Sequence, residues 1–255
     1  MGTIGRRKAV LALGALAAGV YLLLAWNEQV PGGWRLRNLF EPHAEREARR
    51  QGAWRAERLE AFAAEPAPAG APVVFLGSST IERFPLTELF PGAITLNRGI
   101  GFEGLADLQQ RLEVGVPDEV AAAVLYVGSI DHRFQNAAPR ALALGVQEVI
   151  AALRGRLGPI PIAALGLLGE RDLAPEDHAR LVAANEALER ATEAVEDCWF
   201  VATDGPPLMD AQGRLDPALS TDALHLTVAG YRELATRLLT HGGAVAQHLQ
   251  PQEPK

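Results

Sequence analysis

The chain reads as an α/β protein: a three-layer α/β/α sandwich around a five-stranded parallel sheet. Three observations predict this. Five runs, at Val73–Leu76, Ala93–Leu96, Ala121–Val127, Pro161–Leu168 and Cys198–Ala202, have the near-continuous apolar character of strands buried on both faces. Helical patterns lie between and after them, most clearly at Leu105–Val114, Arg140–Leu157, Pro175–Val195 and Val228–Leu249. Strands alternating with helices of this length make a parallel sheet covered on both sides.

The elements before the sheet differ in character. Arg6-Arg7-Lys8 precedes an unbroken apolar run from Ala9 to Trp26. That run is at the short end of what crosses a bilayer as a helix, and Tyr21 and Trp26 suit an interfacial aromatic belt. Residues 1–26 are read as an uncleaved transmembrane anchor. A cleaved signal peptide is the rival, although the run continues well past the small residues Ala15-Leu16-Ala17. The basic flank assigns the N-terminus to the cytoplasm, so the expected location is membrane-anchored with the remainder extracytoplasmic. Residues 27–71 read as a juxtamembrane segment. It holds a charged helix from Pro42 to Ala64, taken as a solvated stalk, and the proline-dense linker Glu65-Pro66-Ala67-Pro68-Ala69-Gly70-Ala71-Pro72. The domain boundary is placed at that linker, with the α/β domain over 72–249 and a short tail over 250–255.

Active sites of such sheets collect at the carboxyl ends of the strands. Ser79 follows the first strand, Gly99 to Gly101 the second, Gly128 to Asp131 the third, and Asp222 and His225 the fifth. All four groups are therefore expected on one edge.

Composition narrows the classes. The chain is 48% hydrophobic, enough for a sizeable core. Its net charge is −7, with no dense basic block beyond the extreme N-terminus, which argues against nucleic acid. The single cysteine, Cys198, permits no internal disulfide and no Cys-based zinc cluster, and reads as a buried strand thiol. His43, His178, His241 and His248 show no metal-ligand spacing. No Gly-x-x-x-x-Gly-Lys motif cradles phosphate, and Gly77-Ser78-Ser79-Thr80-Ile81 lacks the second glycine of a Gly-x-Ser-x-Gly elbow.

What remains is hydroxyl chemistry. A serine hydroxyl attacks a carbonyl only when a base takes its proton. His225 can be that base. Asp222, three residues earlier, can reach one ring nitrogen and turn the other toward Ser79. The oxyanion that develops needs fixed N–H donors. The backbone at Ser79 can supply one, and the loop Asn97-Arg98-Gly99-Ile100-Gly101-Phe102 a second.

These segments, in this order, resemble the SGNH hydrolases, also called the GDSL esterase/lipase family, over about residues 72 to 247. Gly77-Ser78-Ser79 resembles the family's first block in its Gly-Ser-Ser, acetylhydrolase-like form. Asn97-Arg98-Gly99-Ile100-Gly101 resembles the second block and Tyr126-Val127-Gly128-Ser129-Ile130-Asp131 the third. Asp222-Ala223-Leu224-His225-Leu226-Thr227, followed by Gly230-Tyr231, resembles the last. The resemblance implies a flavodoxin-like fold, with Ser79 as nucleophile, His225 as base and Asp222 as its orienting acid. Gly101, Phe102, Gly128 and Asp131 fall in the blocks that line the oxyanion and binding site. The implied reaction is hydrolysis of an acyl ester, acetyl or longer, on a carbohydrate or lipid, with no metal or cofactor. A catalytically silent, ligand-binding envelope module is the alternative. Its motive is a departure: the third block of the family reads Gly-x-Asn-Asp, and its asparagine donates to the oxyanion, whereas Ile130 stands there. In the second block the family's donor glycine aligns with Phe102. Losing one donor costs about a hundred- to a thousandfold in rate, and His132, Gln135 and Asn136 are the neighbouring candidates to replace it.

Overall fold

Residues buried on both faces make the sheet. Its strands are β1 (Val73–Gly77), β2 (Thr95–Gly99), β3 (Ala122–Tyr126), β4 (Ile162–Leu165) and β5 (Cys198–Val201). Every residue of β1, β3 and β4 is buried. All neighbours pair parallel in the order β2-β1-β3-β4-β5, the flavodoxin-like doubly wound order. The three-layer α/β/α expectation holds. This computed structural model describes residues 15–24 and 42–250, and the chain divides into two compact units, residues 1–54 and 55–255.

From residue 42 onward the described helices are α1 (His43–Ala64), α2 (Ser79–Glu82), α3 (Leu86–Leu89), α4 (Leu105–Gln110), α5 (Leu112–Gly115), α6 (Ser129–Arg133), α7 (Pro139–Leu157), α8 (Pro175–Glu193), α9 (Val228–His241) and α10 (Ala244–His248). In α7 the buried residues are Leu142, Val146, Val149, Ile150 and Leu153. Their helical spacing gives one apolar stripe against the sheet. Proline in the first turn starts both α7 and α8, where a missing N–H costs nothing. Phe75, Phe84, Phe90 and Tyr231 form an aromatic cluster beneath α2 and α9, with ring centroids 4.9 to 5.9 Å apart.

The transmembrane helix expected over residues 9–26 is corrected. Among the described residues no helix is long and apolar enough to cross a membrane. The described part of that run, residues 15–24, is helical. At about 1.5 Å per residue it reaches about half of a ~30 Å hydrocarbon layer. The rest of the run lies outside the described residues. Among the described residues the longest helix is α1, with 22 residues, and it is dense in Glu and Arg.

Three other differences have local causes. β2 runs on through Asn97-Arg98-Gly99, where the apolar run had already ended. Those polar residues belong to a strand because their side chains find buried partners, as described below. The helix expected over 105–114 breaks at Arg111, and the last helix breaks at Gly242-Gly243, where Gly243 (φ 56°) passes against the Trp199 ring. The solvated-stalk reading of α1 fails for its last turns. Phe62 is buried, with the guanidinium groups of Arg58 and Arg98 each 4.7 Å from its ring centre. Arg58 donates to the Gly99 carbonyl and Arg55 to that of Asp107. The linker after α1 is irregular, as its prolines require.

Candidate active site

The register of the sheet sets the site. Gly77 lies opposite both Gly99 and Tyr126, so β1, β2 and β3 end level. The turns that follow them therefore start side by side. Gly77 has φ 151°, and a side chain there would drive into the Tyr126 carbonyl, 2.2 Å from the Cβ position. Only glycine lets β1 end so close to β3 and swing into α2.

Ser79 opens α2 and is half-buried. Ser78 precedes it as N-cap but makes no side-chain cap bond. Its hydroxyl instead pairs with that of Ser129, 3.1 Å away, tying the first turn to the third. Asn97 of β2 donates to the Ile81 carbonyl (2.6 Å), and Tyr231 of α9 donates to the Thr80 carbonyl (2.9 Å). The turn carrying Ser79 is thus held from both sides.

Asp222 and His225 sit in the irregular segment before α9. His225 Nε2 lies 3.1 Å from Ser79 Oγ, and its Nδ1 lies 2.8 Å from Asp222 Oδ2. One carboxylate oxygen of Asp222 also accepts the N–H groups of Leu224 (2.8 Å) and His225 (2.9 Å). Burial pushes the Asp222 carboxyl up. The hydrogen bonds from the Leu224 N–H, the His225 ring and the His225 N–H outweigh it, together with imidazolium charge, and hold the group at about 2. It is an anion at any pH where the protein would work. The segment is pinned beneath by Arg171, whose N–H donates to the Ala223 carbonyl and whose guanidinium donates to the Ser220 carbonyl and hydroxyl. Thr227 caps α9 by accepting the Gly230 N–H.

The second turn comes close to the serine. A side chain at Gly101 would lie 3.8 Å from Ser79 Cβ. The Gly101 N–H, however, is taken by the Glu82 carboxylate. The next residue, Phe102, has φ 62°, the left-handed region that a bulky side chain occupies at a cost of about 1–3 kcal/mol. Among the described residues, neither the Phe102 N–H nor the Ser79 N–H is paired with a protein acceptor. Glu103 beside them is buried in a bidentate pair with Arg111, which also donates to the Arg98 carbonyl. Arg55 adds a longer contact to Glu103 at 3.6 Å.

Gly128 (φ 89°) makes the left-handed entry into α6. Asp131 faces α4: its carboxylate accepts the Leu105 N–H at 3.1 Å and so holds the far end of the second loop. Ile130 is half-buried. His132 is buried and lines a cavity of about 170 Å³ shared with Arg133, Glu170, Asp172, Asp177 and Arg180, whose walls include neither Ser79 nor His225. Burial first, then the nearby Arg180 and Arg133 charges, depress its basicity.

A model of the GDSL-like Lipase/Acylhydrolase family matches residues 75–233, more than half of the chain. The chain belongs to this family. It is an ester hydrolase. Solved structures share the fold. One is a protein from Streptococcus pneumonia provisionally called a platelet activating factor, with TM-score 0.64, 22% identity, and coverage of 74% of this chain and 90% of that one. A GDSL-like lipase from Bacteroides thetaiotaomicron gives TM-score 0.57 and 17% identity, covering 74% and 95%. An acetylxylan esterase from Geobacillus stearothermophilus gives 0.52 and 16%, covering 68% and 95%. No curated protein matches the sequence.

Sequence reasoning missed four residues of this acylhydrolase that hold the site: Glu82, Asn97 in its bracing role, Arg171 and the hydroxyl of Tyr231. Asn97 and Tyr231 lay inside the recognised segments. Glu82 is one turn past Ser79, an acidic residue on a very short helix. Arg171 carried no local signal, because its partners lie some fifty residues away.

Proposed function

We propose that this acylhydrolase cleaves an acyl ester of a carbohydrate or lipid alcohol through Ser79, His225 and Asp222. The observation that carries the reading is the continuous chain from Ser79 Oγ through both ring nitrogens of His225 to the Asp222 carboxylate. With Nδ1–H donating to the carboxylate, Nε2 accepts the Ser79 hydroxyl. As Ser79 Oγ bonds to the acyl carbon, its proton passes to Nε2. The oxyanion is received by the N–H groups of Ser79 and Phe102. The intermediate collapses, the C–O bond to the alcohol breaks, and His225 returns the proton to that alcohol. Water, deprotonated by His225, then releases the acid and frees Ser79.

Glu82 decides which amide of the second loop serves. By occupying the Gly101 N–H it leaves that of Phe102. Ile130 supplies no donor, so two backbone N–H groups carry the oxyanion, and turnover is expected to be about a hundred- to a thousandfold below a three-donor site. The test is labelling of the full chain with a fluorophosphonate probe, alongside Ser79→Ala and 4-nitrophenyl ester hydrolysis. Labelling and turnover that vanish in the variant are expected. Labelling that persists in Ser79→Ala, or a wild-type chain that is never labelled, overturns the assignment.

A further inference from the structure

Two exposed phenylalanines meet across the second and third turns. Phe102 and Phe134 are 50% and 60% exposed, and their ring centroids are 5.9 Å apart with planes at 41°. Neither ring adds to the core. Phe102 moreover stands on a left-handed backbone that glycine adopts without strain. A side chain that strains the fold and brings little burial has its use elsewhere. Its surroundings say where. The adjacent Gly101 lies against Ser79. Phe134 directly follows α6, whose first residue, Ser129, is bonded to Ser78. One turn before Phe134 stands the half-buried Ile130, whose carbonyl accepts the Phe134 N–H at 2.9 Å. Residues four apart share a helix face. Ile130, Phe134 and Phe102 therefore make one apolar strip from the third turn to the loop beside Ser79.

We propose that this strip is an acyl-chain subsite and that the preferred ester carries a medium-length aliphatic acyl group rather than acetyl. The inference rests on the reading of Ser79 as nucleophile. The N–H proposed to receive the carbonyl oxygen belongs to Phe102 itself, so the strip begins at the acyl carbonyl. The three side chains offer no hydrogen-bonding group, which suits methylenes and leaves the hydroxyls of a sugar unsatisfied. An acetyl group ends before it gains from Phe134. Full burial of one methylene multiplies affinity about fourfold. An open strip covers each methylene on one side only, which makes the gain about twofold each.

The experiment compares kcat/KM for 4-nitrophenyl acetate, butyrate, hexanoate and octanoate with the full chain, Phe134→Ala and Phe102→Gly. The expected wild-type ratio of octanoate to acetate is at least about tenfold. Each variant is expected to lower that ratio at least about fivefold, with melting temperature unchanged or raised. Acetate turnover and fluorophosphonate labelling with a flat or falling length profile overturn the subsite and leave Ser79 as nucleophile. A length preference that both variants keep overturns it also. So does a flat profile with selective loss, in the variants, of activity on an acetylated oligosaccharide, since the strip would then be a sugar platform. A chain neither labelled nor active on any ester removes the nucleophile reading and the subsite together.

Discussion

The two halves of the site are built differently. Ser79 sits on the turn that ends β1, an inner strand, near the aromatic cluster of Phe75, Phe84 and Phe90, braced by Asn97 and Tyr231. Asp222 and His225 sit on an irregular surface segment, and the Asp222 side chain is 53% exposed. That segment is ordered by short local bonds: Asp222 gathers two backbone N–H groups and the ring of His225, and Arg171 ties its base. The Ser79 turn is thus held by the core, where small displacements are costly. The His225 ring is held by the Asp222 carboxylate. Changes to the residues that brace the Ser79 turn should therefore appear mainly in stability, and changes to the partner of His225 mainly in rate.

The strongest test of this contrast is Asp222→Asn. The amide keeps an acceptor for the backbone N–H groups but no longer selects the ring tautomer. A fall in kcat on the order of ten-thousandfold is expected, with the melting temperature nearly unchanged. A large loss of stability with modest loss of rate would break the comparison. Arg111→Ala is the converse. It strips a buried carboxylate, Glu103, of its bidentate partner, and should cost about 3–5 kcal/mol in urea unfolding. Tyr231→Phe is milder. It leaves the Thr80 carbonyl, behind the serine, without its donor, and should cost about 1–3 kcal/mol. If Tyr231→Phe instead lowers kcat at constant stability, the turn is a tuned part of the site and not a floor.

The smallest effect is in acid. Asp222 has a pKa of about 2 in the fold against 3.8 for the free group. Between those values the unfolded chain binds a proton that the folded chain does not. The contribution is complete above about pH 4 and is lost as pH falls through 2. Because the carboxylate is half exposed, solvent screens it and the shift should be slight. Melting temperatures of wild type and Asp222→Asn, followed from pH 5 to pH 2, should converge toward the acid end. A gap that widens as pH falls would mean that the carboxylate does not stabilise the segment.

Much of the fold was legible because burial writes itself into strings of apolar residues. β1 and β3 are buried along their whole length between the helix layers, and α7 keeps one unbroken apolar stripe. β2 was misplaced because Asn97 and Arg98 are polar yet inward-bonded, and only their partners on α1, α2 and α5 make that tolerable. The N-terminal run misled in the opposite way: unbroken hydropathy speaks of composition, while crossing a bilayer also demands helix length, and the described helix over 15–24 is too short.

The sequence alone determined which chemical groups were available: a serine after a buried strand, a carboxylate three residues before a histidine, and an isoleucine with no donor after the third strand. Those are properties of residue type and local spacing, which survive without knowledge of the fold. Tertiary structure decided how they are used. The level ends of β1, β2 and β3 set the loops side by side, Glu82 took up the Gly101 N–H, Asp131 took up the Leu105 N–H of α4, and Phe134 was carried to Phe102. Each of these is a meeting of segments distant in the chain, governed by sheet register and packing, and no local pattern encodes it.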